Sequence, residues 1–571
     1  MKILNSIAAI LLLLIALFFY YFVAQNALNV PFFDDLSYIK YVLDLTDAPH
    51  LGGFLRLLEL KHNGHGVITA KLIFWLDTLI EGHLNFRSLI IMGSFLVLLL
   101  VGYFWQILQT NQLYFFYLLP AGLFLFTPAY HENIFWAAAS WQYTASFVIS
   151  TLTYYVLAQS THWSLALAVV LGYFLTYTNG NGLAGMYVGF LIPLLQMRYK
   201  RALIWLVACV FVSGAFYWHY PFPVGFGSAN QVHTLSRYPL TIVSFFGSAA
   251  YYFRGQSTDA FLLGVPLALV IFGGLGVLGV TFLFQFWKPL KTSSLLRVFA
   301  NSPSNLSLLA LIALLAVTSL GVAATRASDG AAPRYMIYST VTIVAVYVAV
   351  LLVLPHRLRL AFGLITTGLG SVFVVGAYLF AAPNVINFRK SLLADTHSLR
   401  HHHRLSGKLE LMANPYTLAD FNEALASGLY AFPKNQLDEV PPFSKDTVTD
   451  AKLRFEVKRT AMPTVYGNII TYKIRNKDLL FDQSNPENGI YLLLKETKTG
   501  KVYVNAPLQN ANRNRNVFLK TRQYFVAGFE GSIYQGNIPD GWYQIGIFVF
   551  NNSKRKIVYS PQTLEIKASQ R

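Results

Sequence analysis

The sequence predicts an α-helical polytopic membrane protein with about 11 transmembrane helices, followed by a C-terminal β-sandwich-like domain. Three observations lead to this fold class. Hydrophobic residues make up 55% of the 571 residues and charged residues only 12%, whereas soluble domains are roughly a quarter charged. Apolar runs of about 20 residues, the length that crosses a bilayer, recur through the first two thirds of the chain. The last third alternates short apolar runs with turn residues, a pattern typical of strands.

The apolar segments predict the individual spans. The first keeps bulky aromatic residues where a signal peptide would carry small ones, so we predict that it is retained as a helix. Segments 66–80 and 238–252 are shorter or more polar, and we predict interfacial or re-entrant helices there. The predicted spans are residues 3–24, 87–108, 113–130, 142–159, 162–178, 182–198, 202–218, 260–287, 305–325, 335–354 and 358–381.

Basic loops predict the orientation in the cytoplasmic membrane. Loops 196–202, 287–297 and 355–359 are rich in Lys and Arg, which favours a cytoplasmic position for them and for the N-terminus. The alternate loops and the C-terminal domain are then extracytoplasmic. The net charge of +18 comes with no nucleic-acid motif, so the lipid bilayer is an expected partner and nucleic acid is not.

A change in composition predicts three domains. Residues 1–382 form the transmembrane domain, residues 383–446 a helical connector and residues 447–571 an extracytoplasmic antiparallel β-sandwich. More than half of the charged residues lie after residue 382. The sequence leaves open whether the sandwich is a spacer or a glycan-binding module.

Two adjacent aspartates follow the first span, in the stretch "VPFFDDLSYIKYV". After Pro31 the apolar residues recur with helical spacing, which predicts a helix on the membrane surface. One aspartate is sufficient to cap such a helix. The other is available for chemistry, and we predict Asp34 as a general base with Asp35 as the cap or an auxiliary group.

The segment "HNGHG" places His62 and His65 three residues apart, between glycines that disfavour a regular helix. Contacts with a hydroxylated substrate, an ordinary loop and a metal site with an aspartate all remain open for these two residues. A second group, His401–His403, is a run of three on a predicted helix. Because adjacent helical positions point in different directions, three consecutive histidines chelate poorly, and no metal is predicted.

The stretch "YHENIFWAAASWQY" places His131 and Glu132 beside aromatic residues at the predicted outer edge of two spans. An interfacial aromatic belt and part of a sugar-binding cleft are both consistent with this pattern. The turn "YTNGNGLAG" adds Asn179 and glycines that permit close backbone approach.

Two arginines flank a short predicted outer loop, "TRASDGAAPRY". The guanidinium groups of Arg326 and Arg334 have the fork geometry that binds phosphate oxygens, and contact with lipid headgroups is the alternative.

Taken together, these motifs resemble the bacterial membrane glycosyltransferases of the GT-C superfamily. The retained first span, the acidic pair, the segment from "HNGHG" to "EGHLNFR" and the loop ending in "PRY" carry the resemblance, over roughly residues 1–380. It is nearest to enzymes that modify surface polysaccharides with sugar from a polyprenyl-phosphate carrier. Some of those enzymes show an Asn-Glu-His-Arg type sequence, whose acid and arginine are absent from this chain.

The resemblance implies an inverting hexosyltransferase that needs no cofactor. Asp34 would act as base, Arg326 and Arg334 would bind the donor phosphate, and His62, His65, His131 and Glu132 would contact the sugar or the acceptor. The expected partners are a polyprenyl-phosphate-linked sugar donor and a cell-surface glycan acceptor. The alternatives are a lipid-linked sugar flippase, a polysaccharide polymerase or ligase, and, more remotely, an acyltransferase.

Overall fold

The structure of the protein, a computed structural model, is dominated by helices up to residue 439 and by strands after it. Its apolar, membrane-length helices and its β-rich C-terminal region confirm the coarse fold class. Arg326, one of the predicted site residues, lies outside the described residues. The structure describes residues 2–62, 64–218, 237–253, 260–286, 299, 302–325, 332–402, 415–439, 447–464, 467–479, 488–512, 520–521, 523–535, 537–551 and 554–567.

Among the described residues, six helices are long and apolar enough to cross a membrane. They coincide with six of the 11 predicted spans; the helix Ala260–Phe286 occupies a seventh, and shorter helices occupy the other four segments. The count of 11 therefore stays a prediction. The six helices are Lys2–Asn26, Phe86–Thr110, Tyr199–Trp218, Pro303–Thr325, Pro333–Val353 and His356–His402.

Large apolar side chains on these helices point outward. Phe211 is 76% exposed and Ile3 is 77% exposed, and Trp163 on a shorter apolar helix is 86% exposed. Leaving a continuous apolar surface in water is unfavourable, by about 25 cal/mol for each Å². These faces are therefore typical of contact with lipid.

Most of the remaining helical elements are short, and the interior is polar in places. Asn111 and Asn305 exchange two side-chain hydrogen bonds of 2.7 and 3.0 Å, which satisfies both amides. The further helices are Asp35–Thr46, Leu51–Glu59, Ile68–Glu81, Leu119–Leu125, His131–Phe135, Ala137–Ala139, Ala145–Ala158, His162–Thr176, Gly182–Val188, Leu191–Leu195, Tyr238–Gly247, Ala260–Phe286 and Pro415–Ala426. Tight 3₁₀ turns occupy Phe115–Leu118, Pro128–Tyr130, Ser248–Phe253, Pro333–Tyr335 and Gln436–Glu439, and Ser140–Thr144 is a π-helical turn.

The chain divides into two compact units, which differ from the predicted linear domains. Residues 26–40 and 83–87 belong to the second unit because backbone and amide hydrogen bonds hold them there. The Asn29 side chain accepts from the backbone N–H of Phe86 at 2.8 Å, and Tyr430 donates to the Asn29 carbonyl at 2.8 Å. The first unit, the membrane body, is Met1–Gln25, Tyr41–Gly82 and Ser88–Tyr378; the second, the β-rich unit, is Asn26–Lys40, His83–Arg87 and Leu379–Arg571.

The described strands of the β-rich unit form two sheets, with strand orders β1-β8-β7-β4-β5 and β2-β3-β6. Inward residues of both sheets share one hydrophobic core. Leu492 of β4 is paired in register with Ile547 of β7, and Ile474 of β3, in the other sheet, belongs to the same core. The predicted sandwich was antiparallel throughout, but β1 pairs with β8 in parallel. The strands are β1 Thr447–Thr449, β2 Glu456–Thr464, β3 Gly467–Asn476, β4 Gly489–Glu496, β5 Val502–Asn505, β6 Phe529–Tyr534, β7 Gly541–Asn551 and β8 Lys554–Ile566.

The helix His356–His402 shows no break at the predicted boundary between residues 382 and 383. It continues through Pro383, although proline lacks the N–H that a helix interior normally uses. The helix therefore carries the predicted span and the first part of the predicted connector.

Candidate functional site

The acidic turn, residues 30–38, belongs to the β-rich unit. Phe33 has a φ of +47°, a left-handed conformation that is unfavourable for a bulky side chain. The helix begins at Asp35, two residues after Phe33. The tight turn thus places two carboxylates at the N-terminus of one helix.

The two aspartates are not equivalent. Asp35 is 1% exposed, and its Oδ2 accepts the backbone N–H of Phe32 at 3.0 Å. Asp34 is only partly buried, and its backbone carbonyl accepts from Ser37 at 2.8 Å in the first helical turn. Asp35 therefore has a structural role in closing the turn, and Asp34 is the more accessible carboxylate.

A second region, in the membrane body, is the glycine-turn cluster: Tyr41, the described residues 60–62 and 64–66 of one loop, Lys71 and the turn 177–181. His62 and His65 pair through two backbone hydrogen bonds of 2.9 and 2.8 Å. The ring Nδ1 of His62 lies 3.0 Å from the Tyr41 hydroxyl. Both histidines therefore belong to a narrow backbone bridge.

Lys71 is fully buried beneath this loop. Its ammonium donates to the carbonyls of Leu57 at 2.8 Å and Leu60 at 2.6 Å, at the end of the helix Leu51–Glu59, and lies 4.2 Å from the centre of the Tyr41 ring. Terminal helix carbonyls have no partner within the helix, and a cation satisfies them well. Burial lowers the pKa of Lys71 to about 8, and the charge of Asp44 acts in the opposite direction.

The loop 60–66 packs directly on the turn 177–181. A Cβ on Gly180 would lie 2.7 Å from Nδ1 of His65, and one on Gly66 would lie 2.7 Å from the Cα of Tyr177. The backbone N–H of Ile68 donates to the Tyr177 carbonyl at 2.7 Å. Glycine at both positions is what allows these two segments, distant in sequence, to meet.

The turn leads on to an arginine–aromatic cluster, made of Glu132, Tyr143, Arg334, Tyr335 and Tyr338. The Asn179 side chain donates to the Tyr338 hydroxyl at 3.1 Å. The rings of Tyr143, Tyr335 and Tyr338 lie about 6 Å apart, with centroid separations of 6.0 and 6.1 Å. The guanidinium carbon of Arg334 lies 5.1 Å from the centre of the Tyr335 ring, within the range of a cation–π contact.

His131 and Glu132 begin the short helix His131–Phe135, which packs against the 3₁₀ turn containing Arg334. Glu132 is close enough to interact electrostatically with Arg334. The next residue, Asn133, is buried and accepts from the Thr144 hydroxyl at 2.9 Å, in the π-helical turn Ser140–Thr144. Such turns are often found at functional sites.

The structure therefore brings several predicted site residues together within the membrane body. His65 packs against the turn that bears Asn179, His62 pairs with His65 through the backbone, and Asn179 reaches the cluster that holds Arg334. Asp34 and Asp35 lie in the other unit. The arrangement offers aromatic faces and amide groups suited to sugars, and a guanidinium suited to an anion.

Two residues of this region were missed in the sequence. Lys71 stands alone in the apolar run "ITAKLIFWL", and a single buried cation in such a run was a usable signal. Tyr338 carried no comparable signal, since tyrosine is common at the ends of apolar helices.

Comparison of the chain with protein families, with curated proteins and with solved structures found no match.

Proposed function

We propose that this protein is a membrane glycosyltransferase, which moves a sugar from a polyprenyl-phosphate donor to a hydroxyl of a cell-surface glycan. The observation that carries the proposal is the convergence in the membrane body of four segments singled out in the sequence. They are the "HNGHG" loop, the "TNGNG" turn, the helix beginning at His131 and the "PRY" turn. Polar and aromatic groups gathered in an otherwise apolar body are typical of a site for an amphiphilic substrate.

Arg334 is the proposed ligand of the donor phosphate. Its planar guanidinium pairs with two phosphate oxygens at once, and the Tyr335 ring restricts its orientation. As the sugar leaves, negative charge develops on the lipid phosphate, and a fixed cation stabilises that charge. Arg326 is proposed for the same role on its sequence position alone.

Asp34 is the proposed general base, because Asp35 is buried and accepts a backbone N–H. The Asp34 carboxylate takes the proton of an acceptor hydroxyl, and the oxygen attacks the anomeric carbon of the donor sugar. The bond from that carbon to the phosphate oxygen breaks with inversion, and polyprenyl phosphate leaves. His62, His65, His131 and Glu132 are proposed contacts for the sugar or the acceptor. The role of Asp34 is proposed from the geometry of the β-rich unit, and the role of Arg334 from the geometry of the membrane body.

The proposal includes the topology inferred from the basic loops. It has 11 spans, a cytoplasmic N-terminus and an extracytoplasmic C-terminal domain in the cytoplasmic membrane. Reporter fusions after residues 200 and 450 should report opposite sides of the membrane. The same side for both fusions would contradict this topology.

The decisive experiment compares surface glycans, by mass and linkage, from cells that lack the gene and cells complemented with variants. Wild type should restore a hexose that Asp34→Asn does not restore, although the variant is inserted and folded. Asp47→Asn is the matched control, since it makes the same change at an exposed position. Transfer retained by Asp34→Asn would rule out Asp34 as the base.

A second measurement separates transfer from transport. Purified protein in liposomes is given a labelled polyprenyl-phosphate hexose, and both sugar transfer and movement of the lipid across the bilayer are followed. Arg334→Gln should weaken use of the donor more than use of the acceptor, and the exposed Arg357→Gln should change neither. Lipid movement without any transfer would instead favour the flippase.

A further inference from the structure

The β-rich unit contains a group of polar side chains that the proposed function does not use. This histidine–aspartate cluster consists of His397, Arg400, His401 and Asp438. Three of its members, the two histidines and the aspartate, offer ligand atoms that all lie within 4.8 Å of one another.

The cluster follows from local structure on two segments. His397 and His401 are four residues apart near the end of the helix His356–His402, so they share one face. Asp438 lies in the 3₁₀ turn Gln436–Glu439. Asn435 fixes that turn by donating to the Leu393 carbonyl at 2.7 Å, and its backbone carbonyl accepts from Asp438 at 3.0 Å.

Two of the three separations match the edges of a metal-coordination tetrahedron, and the two histidine nitrogens lie within 4.8 Å of each other. Nδ1 of His397 lies 3.3 Å from Oδ1 of Asp438, and Nε2 of His401 lies 3.4 Å from the same oxygen. Bonds of about 2.0–2.1 Å to zinc in tetrahedral geometry place neighbouring ligand atoms about 3.3–3.4 Å apart. An ordinary N–H···O hydrogen bond is shorter, at about 2.7–3.2 Å.

Arg400 occupies the position of an outer partner. It donates to Oδ2 of Asp438, the oxygen that the histidines do not face, and also to the Pro433 carbonyl at 3.2 Å. Its guanidinium carbon lies 4.9 Å from the centre of the Phe432 ring. Carboxylate ligands of metals are commonly held in this way by a second hydrogen bond, which fixes their orientation.

We propose that His397 Nδ1, His401 Nε2 and Asp438 Oδ1 bind one divalent transition-metal ion, with zinc the best match to this ligand set. The ring of His401 is 44% exposed at its side chain, which leaves room for it to rotate onto the ion and for a water as fourth ligand. The site joins the end of a long helix to the turn Gln436–Glu439. This inference is independent of the glycosyltransferase proposal.

The proposed site uses only one histidine of the run His401–His403. Adjacent histidines do point in different directions: Nε2 of His402 lies 2.8 Å from the Val502 carbonyl, while His401 faces Asp438. The second histidine of the site, His397, lies outside the run and one helical turn earlier.

The test uses the full chain, purified in detergent and freed of metal with a chelator. Calorimetry with Zn²⁺ should show one tight site per chain, and Co²⁺ should give the strong visible bands of a four-coordinate ion. His401→Ala and Asp438→Asn should each weaken Zn²⁺ binding at least about tenfold and remove the Co²⁺ bands. His356→Ala, an exposed histidine at the beginning of the same helix, is the matched control and should bind as wild type does.

Arg400→Gln tests the outer partner. It should keep one site per chain and weaken Zn²⁺ binding roughly tenfold or more. A circular-dichroism spectrum like that of the wild type establishes that each variant is folded. The proposal is overturned if folded wild type binds no Zn²⁺, or if folded His401→Ala and Asp438→Asn keep wild-type affinity and Co²⁺ bands.

Discussion

Two histidine-bearing regions of this protein differ in how they arrange a pair of histidines. In the glycine-turn cluster of the membrane body, His62 and His65 belong to a backbone bridge that packs on Gly180. In the histidine–aspartate cluster of the β-rich unit, His397 and His401 converge from one helix face on a single carboxylate oxygen. Spacing in the sequence is nearly equal, three residues against four, yet only the helical pair points at a common atom.

The difference shows that the secondary structure, more than the spacing, decides what two histidines do. The loop is held by backbone hydrogen bonds and by close packing at its glycines, so changes at those glycines should mainly affect folding. On the helix face the His401 ring is partly exposed, so changes at that ring should mainly affect binding. The following predictions test this contrast, from the largest expected effect to the smallest.

Lys71→Met should be the most damaging change. The variant keeps the length of the side chain but leaves the carbonyls of Leu57 and Leu60 without their donor in a buried place. We expect the free energy of unfolding to fall by about 3 kcal/mol, as is typical when buried polar groups lose a charged partner. Denaturant titration in detergent measures it; unchanged stability would show that this cluster is not held by Lys71.

The pH dependence of the same pair of proteins gives an independent check. Folded Lys71 releases its proton at about pH 8, whereas an unfolded lysine keeps it to about pH 10.4. The unfolded state binds more protons in that interval, so the stability of wild type should rise relative to Lys71→Met as the pH increases from about 8 to about 10.4. A falling or constant difference would contradict the lowered pKa.

Gly66→Ala should destabilise the protein more than Gly180→Ala. The added methyl at position 66 would meet the backbone Cα of Tyr177 at 2.7 Å, and the one at position 180 would meet the ring of His65 at 2.7 Å. A ring moves more easily than backbone, so we expect a loss of roughly 2–3 kcal/mol for the first and about 1 kcal/mol for the second. The reverse order in thermal unfolding would show that the Tyr177 backbone moves more easily than the His65 ring.

Tyr41→Phe should lower the free energy of unfolding by about 1 kcal/mol, the usual net value of one hydrogen bond. The variant removes the hydroxyl that contacts His62 and keeps the ring beneath the Lys71 ammonium. Tyr41→Leu is the comparison, since it removes the ring as well and should cost more. Equal losses would assign the whole effect to the hydroxyl.

His401→Gln should change the stability of the metal-free protein by less than about 0.5 kcal/mol, because its contact with Asp438 is partly exposed. The measurement is the unfolding midpoint in the presence of a chelator. A loss of stability as large as that of Lys71→Met would contradict this contrast. It would show that the histidine–aspartate cluster stabilises the fold as the glycine-turn cluster does.

The fold was predictable where one physical signal dominates. Long apolar runs are unfavourable in water, so the apolar helices were recognisable, and alternation such as that in "NIITYKIRN" indicated strands. The hydrogen bonds that join distant segments of the chain were not predictable from the sequence. Nothing local reveals that Asn29 bonds with Phe86 and Tyr430, because hydrogen bonds between distant segments leave no periodic pattern.

The sequence by itself determined the membrane character, the β-rich C-terminal region and the segments that carry candidate site residues. Composition and periodicity report burial directly. Only the tertiary structure decided which of those segments meet. It separated the buried Asp35 from the more accessible Asp34, brought Asn179 to Tyr338, and paired His397 and His401 with Asp438 in place of the run His401–His403. The reason is physical: a ligand-binding or catalytic group works through distances of a few ångströms, and chain folding sets those distances across tens to hundreds of residues.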